Sequence, residues 1–195
     1  MADLPRIAVL ASGEGTNLQA LIDRLHGRDV QIAGVGGDKP AAHALTRAAH
    51  AGIATRIFPL ADYPDRPARD AAIAAWLRDE LDARIVVLAG YMALLTPGFI
   101  AAFAGRIVNV HPSLLPRFPG LHAIEQALDA GATQTGVTVH LVDEGIDTGP
   151  VLLQQAVPII GGQSAADLRA ALAPVEHELL CRAVTNLAHA RSAAT

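Results

Sequence analysis

Cysteine is almost absent from this chain of 195 residues, and so are runs of basic residues. The single cysteine, Cys181, excludes an internal disulfide and a metal site built from cysteines, and we expect it to be a small hydrophobic side chain on a helix. A formal net charge of −4 and the lack of an RNA-binding motif give no reason to expect a nucleic-acid surface. The hydrophobic content of 51% argues against disorder, and the length suits one domain with a buried core.

Charge is missing altogether from residues 85–105, a stretch flanked by Arg84 and Arg106. The stretch is long enough to cross a bilayer. It opens, however, with the β-branched residues 85–87 and is interrupted by Thr-Pro-Gly at 96–98, which favours a buried strand, a loop and a helix. The N-terminus carries an acidic residue and a proline before its first apolar run, unlike a secretory signal. We therefore expect no association with a membrane.

Short apolar segments alternate with helical patterns along the first half of the chain. The patterns predict strands at residues 6–11, 30–35, 54–58, 85–89 and 107–110, and helices at residues 16–25, 41–51 and 66–81. Continuous apolar runs are typical of parallel strands covered on both faces, and their alternation with helices is typical of βαβ units. The predicted fold class is therefore α/β, with a doubly wound and mostly parallel sheet.

The last third of the chain has a different pattern. Two strands are predicted at residues 137–142 and 151–157, and the connection between them is short enough to indicate antiparallel neighbours. A long amphipathic helix is predicted at residues 164–188. Because no repeat, linker or low-complexity tract divides the sequence, we expect a single domain over residues 1–195.

The first candidate site is the segment Ser-Gly-Glu-Gly-Thr-Asn-Leu at residues 12–18, between the first strand and the first helix. Its glycines let the backbone approach a ligand, and the N–H groups and dipole of a helix N-terminus favour an anion. It is not a dinucleotide fingerprint, because Asn17 and Leu18 stand where a third glycine is needed, and it lacks the Lys-Ser/Thr ending of a P-loop. The alternative is an ordinary tight turn with Thr16 as the helix N-cap.

The second candidate site is the segment Asn-Val-His-Pro-Ser-Leu-Leu-Pro-Arg-Phe-Pro-Gly-Leu-His at residues 109–122. Asn109 and His111 are expected at the carboxyl end of a strand, where ligands bind in open α/β sheets, and their spacing of two puts both side chains on one face. The three prolines that follow restrict the loop. The alternative is that Asn109 caps a turn and His111 fills a surface notch.

The third candidate site is the loop at residues 143–149, which carries Asp147 between glycines. A carboxylate beside an imidazole favours the protonated ring and orients it. Together, Asn109, His111 and Asp147 would supply a donor, an acid–base group and its partner, a set that can stabilise a tetrahedral oxyanion and move a proton. We expect Asp147 to reach His111 because both lie at the edge of the sheet.

Two other kinds of site are disfavoured. A metal site from His111, His122, His140 and Asp147 has no H-x-x-x-H or H-E-x-x-H spacing to support it. A serine hydrolase would need a G-x-S-x-G elbow, and Ser12 does not lie in one.

Taken together, three segments resemble one family, phosphoribosylglycinamide formyltransferase, a folate-dependent enzyme of purine biosynthesis. They are SGEGTNLQ near the start, NVHPSLLPRFPGLHA, and GVTVH followed by DEGIDTGPVL, and the resemblance covers residues 7–176. NVHPSLLP and the D-x-G-P-V pattern are shared with other formyl-folate enzymes, whereas the N-terminal loop and PGLH single out this family. The resemblance implies a Rossmann-like formyltransferase fold, with a phosphate-binding half at about 1–104 and a folate-binding, catalytic half at about 105–195.

The resemblance also implies an activity and its partners. The formyl group of 10-formyltetrahydrofolate, the co-substrate, is transferred to the amine of glycinamide ribonucleotide, with no metal required. The partners implied are these small molecules alone, with no nucleic acid and no membrane, in a cytoplasmic monomer or homodimer.

The resemblance assigns residues position by position. The catalytic residues are Asn109, His111 and Asp147. The residues that bind the ribonucleotide are Gly15, Thr16, Asn17 and Glu176. The residues that bind the folate are Arg66, Met92, Ala93, Leu94, Leu95, Asn109, His140, Asp143, Glu144, Gly145, Ile146 and Asp147. Relatives commonly carry arginine where this chain has Ala93, so a contact made by that side chain is absent.

Three rival functions remain. A formyltetrahydrofolate deformylase would use the same three catalytic residues with water as acceptor, but it usually carries an extra N-terminal domain, whereas this chain begins at its first strand. A methionyl-tRNA formyltransferase needs a C-terminal RNA-binding domain and a basic surface. A non-catalytic nucleotide-binding protein would use Gly13 to Asn17 for phosphate but would have no reason to keep Asn109, His111 and Asp147 together.

Overall fold

A seven-stranded sheet forms the centre of the fold in the computed structural model, which describes residues 4–192. The strands are β1 (Arg6–Ala11), β2 (Gln31–Gly37), β3 (Ala54–Ile57), β4 (Ile85–Leu88), β5 (Ile107–His111), β6 (Gln134–Leu141) and β7 (Val151–Pro158). Their spatial order is β3-β2-β1-β4-β5-β6-β7; the first five are parallel, and β6 and β7 are antiparallel to their neighbours. The predicted fold class and the antiparallel ending are confirmed.

Six α-helices surround this sheet in the described residues. They are α1 (Thr16–Arg24), α2 (His43–His50), α3 (Arg66–Ala75), α4 (Pro97–Ala102), α5 (Ala123–Asp129) and α6 (Ala165–Ser192), and a π-helical segment, Trp76–Glu80, continues α3. The uncharged stretch at 85–105 is the predicted strand, loop and helix, and no helix within residues 4–192 is long and apolar enough to cross a membrane. α5 is not among the helices predicted from the sequence.

Both faces of the sheet are covered, as the continuous apolar runs require. Alternate residues of β1 point in opposite directions. Ile7 and Val9 join a buried cluster with residues of α1, α2 and α6, whereas Ala8 and Leu10 join a second cluster with residues of α3, the π-helical segment and α4. This two-sided burial is the reason the parallel strands show apolar runs instead of alternation.

The antiparallel pairing of β5 with β6 decides where the connection after β6 begins. Leu141 pairs with Val108, and Thr138 pairs with His111. The connection at residues 142–150 therefore leaves the sheet near the start of β5, at the end opposite to His111. The expectation that both residues lie at one sheet edge is therefore wrong. Asp147 does reach His111, but only because the connection turns back across the sheet face.

The second cluster provides a test of how much the core stabilises the fold. The Phe103 side chain is 1% exposed, and its ring centroid lies 5.2 Å from that of Phe99. Because Phe103→Ala leaves a cavity, we expect it to lower the free energy of unfolding by about 3–5 kcal/mol, measured by urea denaturation. Ile160→Ala, at a position 67% exposed, should change it by less than about 0.5 kcal/mol. Equal losses in the two variants would contradict this account of the core.

Candidate active site

The carboxylate of Asp147 lies at the centre of a cluster of polar groups. Its Oδ2 is 3.3 Å from His111 Nδ1 and accepts a hydrogen bond of 2.8 Å from the Gly120 N–H. Its Oδ1 is 3.4 Å from His140 Nε2 and 3.4 Å from Asn109 Nδ2, which donates to it. The structure thus brings the three predicted catalytic residues together and adds His140 and the Gly120 backbone.

The side chains meet because the strands present them on one face. Asn109 and His111 are two residues apart on β5, and His140 is the cross-strand partner of Asn109 on β6. Cross-strand partners project to the same side of a sheet. The connection at 142–150 folds over this side and carries Asp147 onto it.

Asp147 is held by an unusual local backbone. Its φ is 55°, in the left-handed region that most residues avoid. Asp143 organises the loop from within, because its Oδ1 accepts hydrogen bonds from the Gly145 N–H at 3.0 Å and the Thr148 hydroxyl at 2.7 Å. A Cβ at Gly149 would overlap the Leu141 carbonyl oxygen, so the loop can lie this close to β6 only with glycine there.

Asp147 is charged in this environment. Burial of its side chain opposes ionisation, but the hydrogen-bonding contacts from His140 and the Gly120 N–H, and the positive charge of His111 and His140, more than compensate. Together they lower the pKa of Asp147 from 3.8 to about 2. The carboxylate is therefore a fixed anion at neutral pH.

His111 is buried and lies between two acceptors. Its Nε2 donates to the Phe118 carbonyl oxygen at 2.8 Å, and its Nδ1 faces Asp147. The ring satisfies both acceptors only when each nitrogen carries a proton. The alternative that His111 fills a surface notch is wrong, as is the alternative that Asn109 caps a turn, because its amide points at Asp147 and His140.

His140 supports the cluster from β6. It is buried, and its Nδ1 donates to the Leu141 carbonyl oxygen at 2.9 Å. Its Nε2, 3.3 Å from Asn109 Nδ2, accepts from that amide when the ring is neutral and donates to Asp147 when the ring is protonated. His140 can therefore restrain both the amide and the carboxylate.

The proline-containing loop supplies two backbone groups to the cluster. The Phe118 carbonyl and the Gly120 N–H both come from it, and Phe118 has a left-handed φ of 54°. Ser113 Oγ donates to the Arg117 carbonyl within the loop, and the Leu115 N–H donates to Thr138 Oγ1 on β6 at 3.2 Å. Sequence analysis missed these backbone contacts, since any residue type can supply a carbonyl or an N–H.

The predicted phosphate loop forms a second polar region at the start of α1. Gly15 precedes the helix with a left-handed φ of 74°, so Thr16 is the first helical residue and not the N-cap. Asn17 Nδ2 donates to Glu176 Oε2 at 2.9 Å, which joins α1 to α6. All four predicted ribonucleotide residues are therefore neighbours, and the first-turn N–H groups of α1 have no partner within the helix.

Apart from Asn109, His140 and Asp147, which belong to the cluster described above, the predicted folate residues fall into three places. Asp143, Glu144, Gly145 and Ile146 lie in the loop that carries Asp147, and the Ile146 side chain is exposed. Met92, Ala93, Leu94 and Leu95 follow β4, with Met92 and Leu94 exposed. The Arg66 side chain is exposed in the first turn of α3 and makes no hydrogen bond or ion pair with another described residue. The structure does not bring Arg66 into contact with the catalytic cluster.

No group of three or more His, Cys, Asp or Glu side chains in residues 4–192 has the arrangement of a metal site. His122, one of the four residues considered for such a site, is exposed before α5, and its side chain makes no hydrogen bond or ion pair with the cluster around Asp147.

Comparison with known proteins defines the class to which this fold and site belong. The family described as formyl transferase matches residues 5–184. The chain belongs to the formyl transferase family. A phosphoribosylglycinamide formyltransferase from Mycobacterium tuberculosis is 44% identical over 94% of this chain and 85% of the relative. The resemblance to that enzyme, inferred from the sequence, is confirmed.

Longer relatives contain the same region. The trifunctional purine biosynthetic protein adenosine-3 of Drosophila pseudoobscura is 43% identical over 94% of this chain, which spans only 14% of that protein. Among solved structures, glycinamide ribonucleotide transformylase 1 from Symbiobacterium toebii superposes with a TM-score of 0.94, with 44% identity over 98% of this chain and 91% of that one. A formyltetrahydrofolate deformylase from Pseudomonas syringae also superposes, with a TM-score of 0.88 and 28% identity over 97% of this chain and 63% of that one.

The lowered pKa of Asp147 predicts how stability depends on pH. Because the folded pKa of about 2 lies below the unfolded value of 3.8, the carboxylate stabilises the fold above the unfolded pKa. That contribution, about 2 kcal/mol, is lost as the pH falls through the folded value. We expect Asp147→Asn to lower the free energy of unfolding most at about pH 5–6 and progressively less toward pH 2.5, measured by urea denaturation.

The control is Asp129→Asn, at an exposed position at the end of α5. It should produce a difference from the wild type that is small at every pH. A deficit for Asp147→Asn that stays constant across this range would show that the ionised carboxylate does not stabilise the fold.

Proposed function

We propose that this chain transfers the formyl group of 10-formyltetrahydrofolate to the amine of glycinamide ribonucleotide. The products are formylglycinamide ribonucleotide and tetrahydrofolate, and the step belongs to purine biosynthesis. The observation that carries the proposal is the cluster around Asp147, in which an ionised carboxylate, an imidazole with two acceptors and an amide converge on one sheet face. Family membership supplies the reaction class, and this cluster supplies groups suited to it.

The reaction forms one carbon–nitrogen bond and breaks another. The ribonucleotide amine attacks the formyl carbon, whose oxygen gains negative charge, and the bond from that carbon to the folate nitrogen then breaks. Asn109 N–H and protonated His111 can stabilise the oxyanion. The proton lost by the amine goes to the departing folate nitrogen, with Asp147 and His111 as the groups placed to assist its transfer.

The contacts of His111 and Asn109 indicate which hydrogen bonds the substrate must displace. His111 Nε2 donates to the Phe118 carbonyl, and the Asn109 amide donates to Asp147. A developing oxyanion has to share or replace these acceptors, and a negatively charged oxygen is the stronger acceptor. The contacts at 3.3–3.4 Å around Asp147 are long, and catalytic hydrogen bonds commonly tighten only in the complex with substrate.

The two substrates would occupy opposite sides of this cluster. The phosphate is assigned to Gly15, Thr16 and Asn17, where helix N–H groups suit an anion, and Glu176 would face the ribose. The folate is assigned to the segment 92–95 and to the loop 143–147, with Arg66 near its glutamate tail, and His140 and Asn109 border this side. The exposed apolar side chains Met92, Leu94 and Ile146 suit an aromatic ring system.

Location and partners follow from the proposed pathway. We infer a cytoplasmic enzyme whose partners are the two small molecules, acting as a monomer or a homodimer and with no metal in the proposed steps.

The competing function is that of a deformylase, in which water takes the place of the amine. The fold is compatible with both, since a deformylase shares it. The hydrogen bond between Asn17 and Glu176 favours the transferase, because it joins the predicted phosphate site and the predicted ribose site into one region. A water acceptor has no need of such a region.

The decisive assay measures tetrahydrofolate release from 10-formyltetrahydrofolate with and without glycinamide ribonucleotide. We expect release only with the ribonucleotide, and we expect His111→Ala to slow it on the order of 100-fold or more, as for the loss of an acid–base group. His50→Ala, at an exposed position at the end of α2, is the matched control and should keep wild-type activity.

Release without the ribonucleotide would instead indicate a deformylase. No release under either condition would leave the non-catalytic nucleotide-binding protein as the better description.

A further inference from the structure

Ser12 connects the proposed phosphate loop, residues 12–18, with the folate-lining segment, residues 92–95. It follows β1, and the segment follows β4, which is the parallel neighbour of β1 in the sheet. The Ser12 N–H donates to the Gly90 carbonyl at 3.1 Å, and the Met92 N–H donates to Ser12 Oγ at 2.9 Å. The Ser12 side chain is buried, and the second hydrogen bond is partly buried.

A buried ion pair holds the other end of the folate-lining segment. Asp70 Oδ1 lies 2.7 Å from Arg69 Nη2, and both side chains are almost completely buried. Asp70 Oδ2 accepts from the Thr96 N–H at 2.7 Å, and Arg69 Nη2 donates to the Leu94 carbonyl at 3.4 Å. The segment 92–95 therefore has one hydrogen-bonded anchor at each end.

Side-chain packing does little to fix the segment between these anchors. Met92 and Leu94 are 58% and 60% exposed, whereas Tyr91 and Leu95 are only partly buried against the second cluster. A segment with few buried apolar contacts takes its position from its backbone hydrogen bonds. The position of Met92 thus depends on the Ser12 hydroxyl.

We propose that Ser12 is a positioning residue for the folate, although its place in the sequence is the proposed phosphate loop. The inference rests on the proposed function. The backbone N–H of Ser12 joins the two loops in any variant, and only the hydroxyl holds the Met92 N–H. Removal of the hydroxyl should therefore loosen the folate-lining segment and leave the phosphate loop in place.

The test is the steady-state kinetics of Ser12→Ala with each substrate varied in turn. We expect the KM for 10-formyltetrahydrofolate to rise on the order of tenfold, as for the loss of one partner of a partly buried hydrogen bond. The KM for glycinamide ribonucleotide and kcat should stay within about twofold of the wild type, since neither depends on that bond. Ser12→Thr, which keeps a hydroxyl, should restore the folate KM toward the wild-type value.

Ser164→Ala is the matched control. Like Ser12→Ala, it removes a serine oxygen that accepts a hydrogen bond from a backbone N–H. Here the donor is the Asp167 N–H at 3.2 Å, and Ser164 is exposed just before α6. It should lower the melting temperature without changing either KM, which separates lost stability from lost positioning. If Ser12→Ala does not fold, Ser12→Cys provides a weaker acceptor of similar size and should show the same selective rise in folate KM.

The outcomes distinguish the two proposals. An unchanged folate KM in a folded Ser12 variant, or an equal rise in both KM values, would overturn the positioning role and leave the transferase intact. A wild-type protein with no ribonucleotide-dependent activity would overturn the proposed function itself.

Discussion

The carboxylate of Asp147 is the group on which the arrangement of the site depends. It is partly buried, ionised and in contact with two imidazoles, an amide and a backbone N–H. An anion removed from water needs such partners, because an unpaired buried charge is strongly unfavourable. Asp147 therefore orients both Asn109 and His111, and in the proposed mechanism the same two side chains donate hydrogen bonds to the developing oxyanion.

Bringing these groups together requires an unfavourable backbone at several places. Phe118, His122 and Asp147 have left-handed φ angles, and all three lie in the two loops that surround the cluster. Residues held in this way cost about 1–3 kcal/mol each and persist only where the surrounding structure fixes them. Here the fixing elements are the β5–β6 register, the contact of Gly149 with Leu141 and the two clusters that cover the sheet. The rigid core thus stabilises a strained site.

Sequence reasoning worked best where one physical cause dominated. The apolar runs at 6–11 and 85–89 predicted β1 and β4 because burial on both faces leaves no polar alternation, and the spacing of Asn109 and His111 put both side chains on one face. It failed for α5, a helix of seven residues after His122 with too few turns to show a clear period. It also failed for the course of the loop that carries Asp147, because that course depends on the β5–β6 register. It failed again for the Phe118 carbonyl and the Gly120 N–H, because any residue type can supply these backbone groups.

The most direct test of this account is a comparison of Asp147→Asn with the wild type in single-turnover formyl transfer, with ribonucleotide affinity measured on the same samples. Asparagine has similar size but no charge, so it removes the anion that orients His111. We expect a large fall in the rate of transfer with little change in ribonucleotide affinity, because no hydrogen bond or ion pair joins Gly15, Thr16 or Asn17 to Asp147. An unchanged rate of transfer would remove Asp147 from the mechanism and contradict the central claim.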